Sequence, residues 1–140
     1  MAFEVRELGS EDWRILDRVI ETFKDVESLA PERFLEDPRS HAFVAVEGSE
    51  VLGWAYGYEL FRPEGRRMML LYDLDVAEEA RRQGVGKALV EAFKDLAQSK
   101  GHVKMWLFTH QDNAAARALY EAAGATPSGR PDLGYWWVFE

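Results

Sequence analysis

One stretch limits the folds open to this chain more than any other: Tyr72-Asp73-Leu74-Asp75-Val76-Ala77-Glu78-Glu79-Ala80-Arg81-Arg82-Gln83-Gly84-Val85-Gly86-Lys87-Ala88. It reads as a strand, a short polar loop and the glycine-containing start of a helix. Alternation puts Leu70, Tyr72, Leu74 and Val76 on one strand face and Leu71, Asp73 and Asp75 on the other. The following helix is amphipathic, with Val85, Ala88, Leu89, Ala92, Phe93, Leu96 and Ala97 at helical spacing and Gly101 as its stop. Gly84 and Gly86 let a ligand approach the backbone closely. The first helical N–H groups lack intrahelical partners and sit at the positive end of the dipole, so the junction suits a phosphate. Arg81, Arg82 and Lys87 add charge fit for a diphosphate. Simple packing of strand on helix is the other reading of such a turn. A P-loop is excluded because Ala88 follows Gly86-Lys87, and a dinucleotide fingerprint because the third glycine is missing.

The chain of 140 residues is long enough for one domain with a real core. At 47% hydrophobic and 30% charged residues, its composition is that of an ordinary soluble protein. No apolar run approaches the roughly 20 residues of a membrane span. The N-terminus has no signal-peptide pattern, and the expected compartment is the cytoplasm. There are no cysteines, which removes disulfide and thiolate chemistry. A net charge of −8 argues against nucleic acid as the main partner and suits a polycationic one, although acidity for solubility alone explains it as well. His41, His102 and His110 are dispersed, so no metal site is expected.

Around this centre the pattern predicts a strand at Phe3–Leu8 and a helix from Glu11 capped by Ser10, with Trp13, Leu16, Ile20 and Phe23 as its apolar stripe. A short helix follows at Pro31–Leu35. Ala42–Glu47 and Val51–Leu60 form a hairpin through Gly48-Ser49-Glu50. Met68–Val76 and Val103–Thr109 are the fourth and fifth strands. Asn113 caps a last helix ending at Gly124, Pro127–Pro131 is a loop, and Leu133–Phe139 is a closing aromatic strand. The expected class is α+β, with helices flanking one mixed, mostly antiparallel sheet. Tyr135, Trp136 and Trp137 pack in the core, line a pocket or make a dimer interface.

Arg81-Arg82-Gln83-Gly84-Val85-Gly86 resembles the R/Q-x-x-G-x-G/A signature of the GNAT superfamily of N-acetyltransferases. Asn113-Ala114-Ala115-Ala116-Arg117-Ala118-Leu119-Tyr120-Glu121-Ala122-Ala123-Gly124 is similar to its second signature, N-x-x-A-x-x-L-Y-x-x-x-G. The resemblance implies a sheet whose fourth and fifth strands splay where an acyl-thioester lies. It also implies acetyl-CoA as cosubstrate. The coenzyme contacts it implies are Leu74, Asp75 and Val76, then Arg81, Arg82, Gln83, Gly84, Val85, Gly86 and Lys87, and Asn113, which serves equally as a plain helix cap. It implies Tyr120 as proton donor to the departing thiolate; packing on an amphipathic helix is the other role for that residue.

An alkylamine is mostly protonated at neutral pH, with a pKa of about 10.4, so transfer to it calls for a base. The glutamates that serve some branches are absent, because Phe108 and Leu70 stand in or near their places. Asp73 is the candidate base or amine-binding carboxylate, with a structural hydrogen bond as its alternative role. Tyr72-Asp73-Leu74, with Tyr58-Glu59-Leu60-Phe61-Arg62-Pro63 before it, looks like the gentamicin-type aminoglycoside 3-N-acetyltransferases. That likeness implies a small polycationic amine as acceptor, with Asp25, Glu27 and Glu32 as possible cation contacts. Another amine (a polyamine, an amino acid or a protein N-terminus) and a non-catalytic coenzyme A-binding module are the competing expectations. A homodimer is possible.

Overall fold

The computed structural model describes residues 2–130 and 134–139. Its centre is a five-stranded sheet in the order β1 (Glu4–Glu7), β2 (Ser40–Glu47), β3 (Glu50–Phe61), β4 (Arg67–Val76) and β5 (Lys104–Trp106). The first four strands are antiparallel neighbours, and β5 joins β4 in parallel. Helices α1 (Trp13–Lys24) and α2 (Pro31–Glu36) precede β2, α3 (Val85–Ser99) links β4 to β5, and α4 (Ala114–Ala122) follows β5. This is the mixed sheet flanked by helices that the pattern predicts.

Each sheet face has its own core. Leu16 and Val19 of α1 pack with Ala42, Val44 and Trp54 on one face. Val85, Leu89, Val90 and Phe93 of α3 pack with Phe43, Ala55, Met69 and Leu71 on the other. Phe93 and Leu89 are fully buried, and Phe43 meets Phe93 edge to face at 4.9 Å. The 3.6-residue period of α3 is therefore the imprint of a helix lying across β2, β3 and β4.

The chain enters α1 differently from the expected Ser10 cap. A 3-10 turn at Ser10–Asp12 comes first, and the Gly9 N–H donates to Asp12 Oδ2 at 2.7 Å. The Asp12 carboxylate thus reaches back to the backbone before the turn, and the Ser10 hydroxyl donates to Glu11 Oε2 at 3.4 Å instead of capping a helix. The expected closing strand is also absent: residues 134–139 have no regular structure, and Leu133 and Pro131 lie outside the described residues. Tyr135, Trp136 and Trp137 are exposed, Trp136 at 88%, so they form neither core nor pocket lining among the described residues. Strand-forming side chains make a strand only against a free edge, and β5 offers three residues where seven were expected (Val103–Thr109).

The alternation of β4 is broken. Tyr56 pairs with Asp73 but Gly57 pairs with Leu71, so Tyr72 is the extra residue of a bulge. Before it Met69 and Leu71 face α3, and after it Leu74 and Val76 do. Tyr72, Asp73 and Asp75 are left on the α1 face, which corrects the placement of Tyr72 with Leu74 and Val76. The bulge depends on Gly57, whose missing Cβ would run into the carbonyl oxygen of Leu70 and stand 3.1 Å from the Cα of Leu71. Gly57→Ala is expected to lower stability by about 1–3 kcal/mol, measured by urea unfolding. An unchanged midpoint would mean that the two strands separate without cost.

Candidate active site

The parallel pairing of β4 and β5 covers Met68 to Leu70 against Lys104 to Trp106 and goes no further. Past that point β5 ends at Trp106 while β4 runs on to Val76, and the segment after β5 parts from β4. A cleft of about 300 Å³ opens between them, lined by Tyr72, Asp73, Leu74 and Asp75 on one side and by Leu107, Phe108, Asn113 and Tyr120 on the other. The bulge matters here. It sends the two aspartates to the α1 face of the gap, while Tyr120 packs with the core on the α3 face. The gap therefore joins both faces of the sheet, with carboxylates on one side and a phenol on the other.

Asp73 Oδ1 accepts from the Leu74 N–H at 2.9 Å, and Asp75 Oδ2 accepts from Trp54 Nε1–H at 3.1 Å. Lys24, the last residue of α1, donates to Asp73 Oδ2 and lies 3.3 Å from Asp75 Oδ2. Burial works to lower the pKa of this ammonium, but its bonds to the two carboxylates outweigh burial and raise it. The expected Leu74 amide is thus in the cleft but already engaged by its neighbouring carboxylate. Tyr120 is half-buried. Burial, then the negative charge of Asp73 and Asp75, pushes its phenol above its ordinary range, so it keeps its proton at neutral pH. Asn113 Oδ1 accepts from the Ala116 N–H at 3.1 Å, which makes it the cap of α4 as well as a lining residue.

The glycine-containing loop lies next to the cleft but does not line it. Glu78–Ala80 form a 3-10 turn, and Arg81, Arg82, Gln83, Gly84 and Lys87 are exposed. Gly84 takes a left-handed φ of 83° at the N-terminus of α3, and no side chain caps that helix. A Cβ on Gly84 would meet open space, so its absence serves backbone conformation. Gly86 serves packing instead: a Cβ there would stand 2.9 Å from Leu119 Cδ2 of α4. Val85 and Gly86 are buried, and Val76 also turns toward the α3 core, so these three have only backbone groups to offer a ligand. An uncapped helix start with three exposed cationic side chains fits a diphosphate.

Two features escaped the sequence reading. The first is Lys24. The second is an aromatic wall on the α1 face: Tyr56 stacks on Trp54 and on Tyr72 at centroid separations of 4.9 and 5.5 Å, while Tyr58 and Phe34 meet Tyr56 edge-on. The period-2 run Trp54, Tyr56, Tyr58 was the available signal for part of this wall. Phe108, 71% exposed, borders the cleft, whereas exposed His110 is not among its lining residues.

The sequence profile of the Acetyltransferase (GNAT) family matches residues 4–125. The chain is 36% identical over 91 residues to an uncharacterized N-acetyltransferase of Bacillus subtilis, YhfO, a match that takes in 64% of this chain and 61% of that protein. Among solved structures, it superposes on the aminoglycoside acetyltransferase meta-AAC0020, from an uncultured soil metagenomic sample and bound to sisomicin, with a TM-score of 0.87. Identity there is 18%, over 99% of this chain and 97% of that one. It also superposes on AAC(6')-Iy in complex with a bisubstrate analog, CoA-S-monomethyl-acetylneamine, with a TM-score of 0.82 at 16% identity, over 99% and 100% of the two chains. The profile match spans most of the sequence, including both signatures, the five strands and the cleft between β4 and β5. The chain belongs to the GNAT family of acetyltransferases.

Proposed function

We propose that this protein transfers an acetyl group from acetyl-CoA to a primary amine of a small polycation, most specifically the 3-amino group of an aminoglycoside. The observation that carries the reading is the cleft between β4 and β5, where Asp73 and Asp75 approach from one sheet face and Tyr120 from the other. The backbone amides at Gly84, Val85 and Gly86, with Arg81, Arg82, Gln83 and Lys87, hold the diphosphate. Leu74, Asp75 and Val76 provide the strand along which the pantetheine arm lies, and Asn113 borders it. The cosubstrate supplies an activated thioester carbonyl.

The residues of the chain do the rest. Asp73 draws the acceptor ammonium in and takes its proton, directly or through water. The freed nitrogen forms a C–N bond to the carbonyl carbon, sheds its second proton to solvent, and the C–S bond breaks. The Tyr120 hydroxyl gives its proton to the departing sulfur and recovers one from solvent. Amide, thiol and one released proton balance the reaction. The aromatic wall of Tyr56, Tyr58 and Tyr72 offers apolar faces to sugar rings, and the net charge of −8 favours approach of a polycation.

The aminoglycoside reading is supported by the Tyr72-Asp73-Leu74 strand and the acidic, aromatic acceptor side. The solved neighbours include a 6'-type enzyme and metagenomic ones, so the 3-amino position rests on the sequence resemblance alone. The test is thiol release from acetyl-CoA with gentamicin, sisomicin, spermidine and an N-terminal peptide, followed by NMR of the product. Acetylation at the 3-amino group is expected. Turnover on the peptide alone would replace the small polycation with a protein substrate, and no turnover with retained coenzyme binding would favour a non-catalytic module. Tyr120→Phe is expected to lower kcat about 10²-fold with little change in acetyl-CoA affinity. Full activity in that variant would return Tyr120 to a packing role.

A further inference from the structure

We propose that Lys24 occupies the acceptor's ammonium site in the free protein, so that a polyamine binds by displacing it. The inference rests on the acceptor site described under the proposed function. The two carboxylates that face the gap are both engaged by one ammonium, and it belongs to the chain itself: Lys24 Nζ reaches Asp73 Oδ2 and Asp75 Oδ2. Each carboxylate has one further donor, the Leu74 N–H for Asp73 and Trp54 Nε1–H for Asp75. The cation these carboxylates share is thus a primary alkylammonium, the same chemical group an aminoglycoside or polyamine would bring.

Where Lys24 sits allows it to leave. It ends α1, and Asp25 after it takes a left-handed φ of 52° that turns the chain out of the helix. Residues 25–30 carry no helix or strand before α2 begins at Pro31. The anchors of α1 in the core are Leu16 and Val19, so swinging the Lys24 side chain into solvent disturbs neither. The ion pairs are also partly open to water, with Lys24, Asp73 and Asp75 side chains each about 30% exposed. Pairs of that exposure are readily exchanged for another cation. Among the described residues, the groups that face the pair are Lys24 from α1, Trp54 and Tyr56 from β3, and Tyr120 from α4, none of them a second cation. Two carboxylates against one ammonium leave a net negative charge, which favours acceptors with two or more amines over a monoamine.

The consequence is a competition. If Lys24 holds the pair for about nine-tenths of the time, the site is open for about one-tenth and apparent affinity for the acceptor drops about tenfold. The experiment titrates neamine and spermidine into the 140-residue chain and its Lys24→Met and Lys24→Arg variants by calorimetry, with acetyl-CoA titrated into the same samples and melting curves to check folding. Lys24→Met is expected to bind neamine about tenfold more tightly. Lys24→Arg, which still fills the site, is expected to bind like the parent. Equal or weaker neamine binding by folded Lys24→Met would overturn the inference and make Lys24 a positioning residue for Asp73. Absence of neamine and spermidine binding in all three proteins would overturn it together with the polycation reading, and the acetyl-CoA titration would show whether the coenzyme site stands on its own.

Discussion

Asp73→Asn is expected to lower kcat/KM for amine transfer by about 10²–10⁴-fold while acetyl-CoA affinity stays as it is. The substitution preserves shape, and an amide oxygen can still accept from the Leu74 N–H, now 2.9 Å from Oδ1. In the proposed reaction, what it removes is the charge that draws in the acceptor ammonium and the basic oxygen that receives its proton. It also removes the closer of the two partners of Lys24, so that ammonium is expected to shift toward Asp75. Because the Asp73 and Lys24 side chains are both about 30% exposed, the fold should lose little. Steady-state kinetics together with a coenzyme titration separates the two effects. Activity equal to the parent would take Asp73 out of the mechanism, and an equal loss in Asp75→Asn would make the pair, and not one member, the acting group.

The second large effect is expected outside the cleft lining, at Glu59. Its side chain is buried at 6% exposure and accepts from His41 Nε2 at 2.7 Å and from His102 Nε2 at 2.9 Å, with Lys100 Nζ 3.4 Å away. His41 Nδ1 in turn meets Glu7 Oε2 at 2.6 Å. The cluster ties β1, β2 and β3 to the segment that leads from α3 into β5. Burial opposes ionisation of Glu59 most strongly, yet the bonds from His41 and His102 and the charge of Lys100 outweigh it and hold the carboxyl at about 2. For His41, burial lowers the pKa and the bonds to Glu7 and Glu59 raise it above 6.5. Glu59→Ala strips the cluster of its central charge and is expected to cost about 3–5 kcal/mol.

The pH dependence follows from those two directions. A depressed carboxyl stabilises the fold above its ordinary pKa of 4.5, and that stability is lost as pH falls from there toward 2. A raised imidazole stabilises the fold below 6.5, and that stability is lost as pH rises through the folded value. The contribution of the cluster is therefore greatest between about 4.5 and 6.5. Urea unfolding of the parent, Glu59→Ala and His41→Gln from pH 3 to 8 measures it. His41→Gln should flatten the alkaline side and leave much of the acid side. If the parent and Glu59→Ala unfold at the same urea concentration throughout, the cluster contributes nothing to stability.

Much of the architecture could be read from local pattern. The apolar stripe of α3, the turn at Gly48-Ser49, the left-handed Gly101 and the Asn113 cap are decided by side chains a few residues apart, and all are found where expected. The two signatures also placed Tyr120 and the glycine-containing loop in correct order around one strand. The failures have a common origin. The parity of Tyr72 depended on a bulge that a glycine one strand away permits. The strand expected at Leu133–Phe139 had suitable side chains but no long edge to pair with. His41 and His102 looked dispersed because they are separated by 61 positions along the chain, yet both end on the same carboxylate.

What the sequence determined by itself was most of the elements, their order and the chemistry on offer: a helix start that fits a diphosphate, a phenol, and a pair of carboxylates. Only the tertiary structure decided which side of the sheet each group faces, that Lys24 answers the carboxylates, and that Glu59 is held between two imidazoles and the Lys100 ammonium. Periodicity and capping act between residues that are neighbours in the chain, so one sequence carries them openly. Charge pairing and strand register act between residues brought together by folding, and the sequence does not say which will meet.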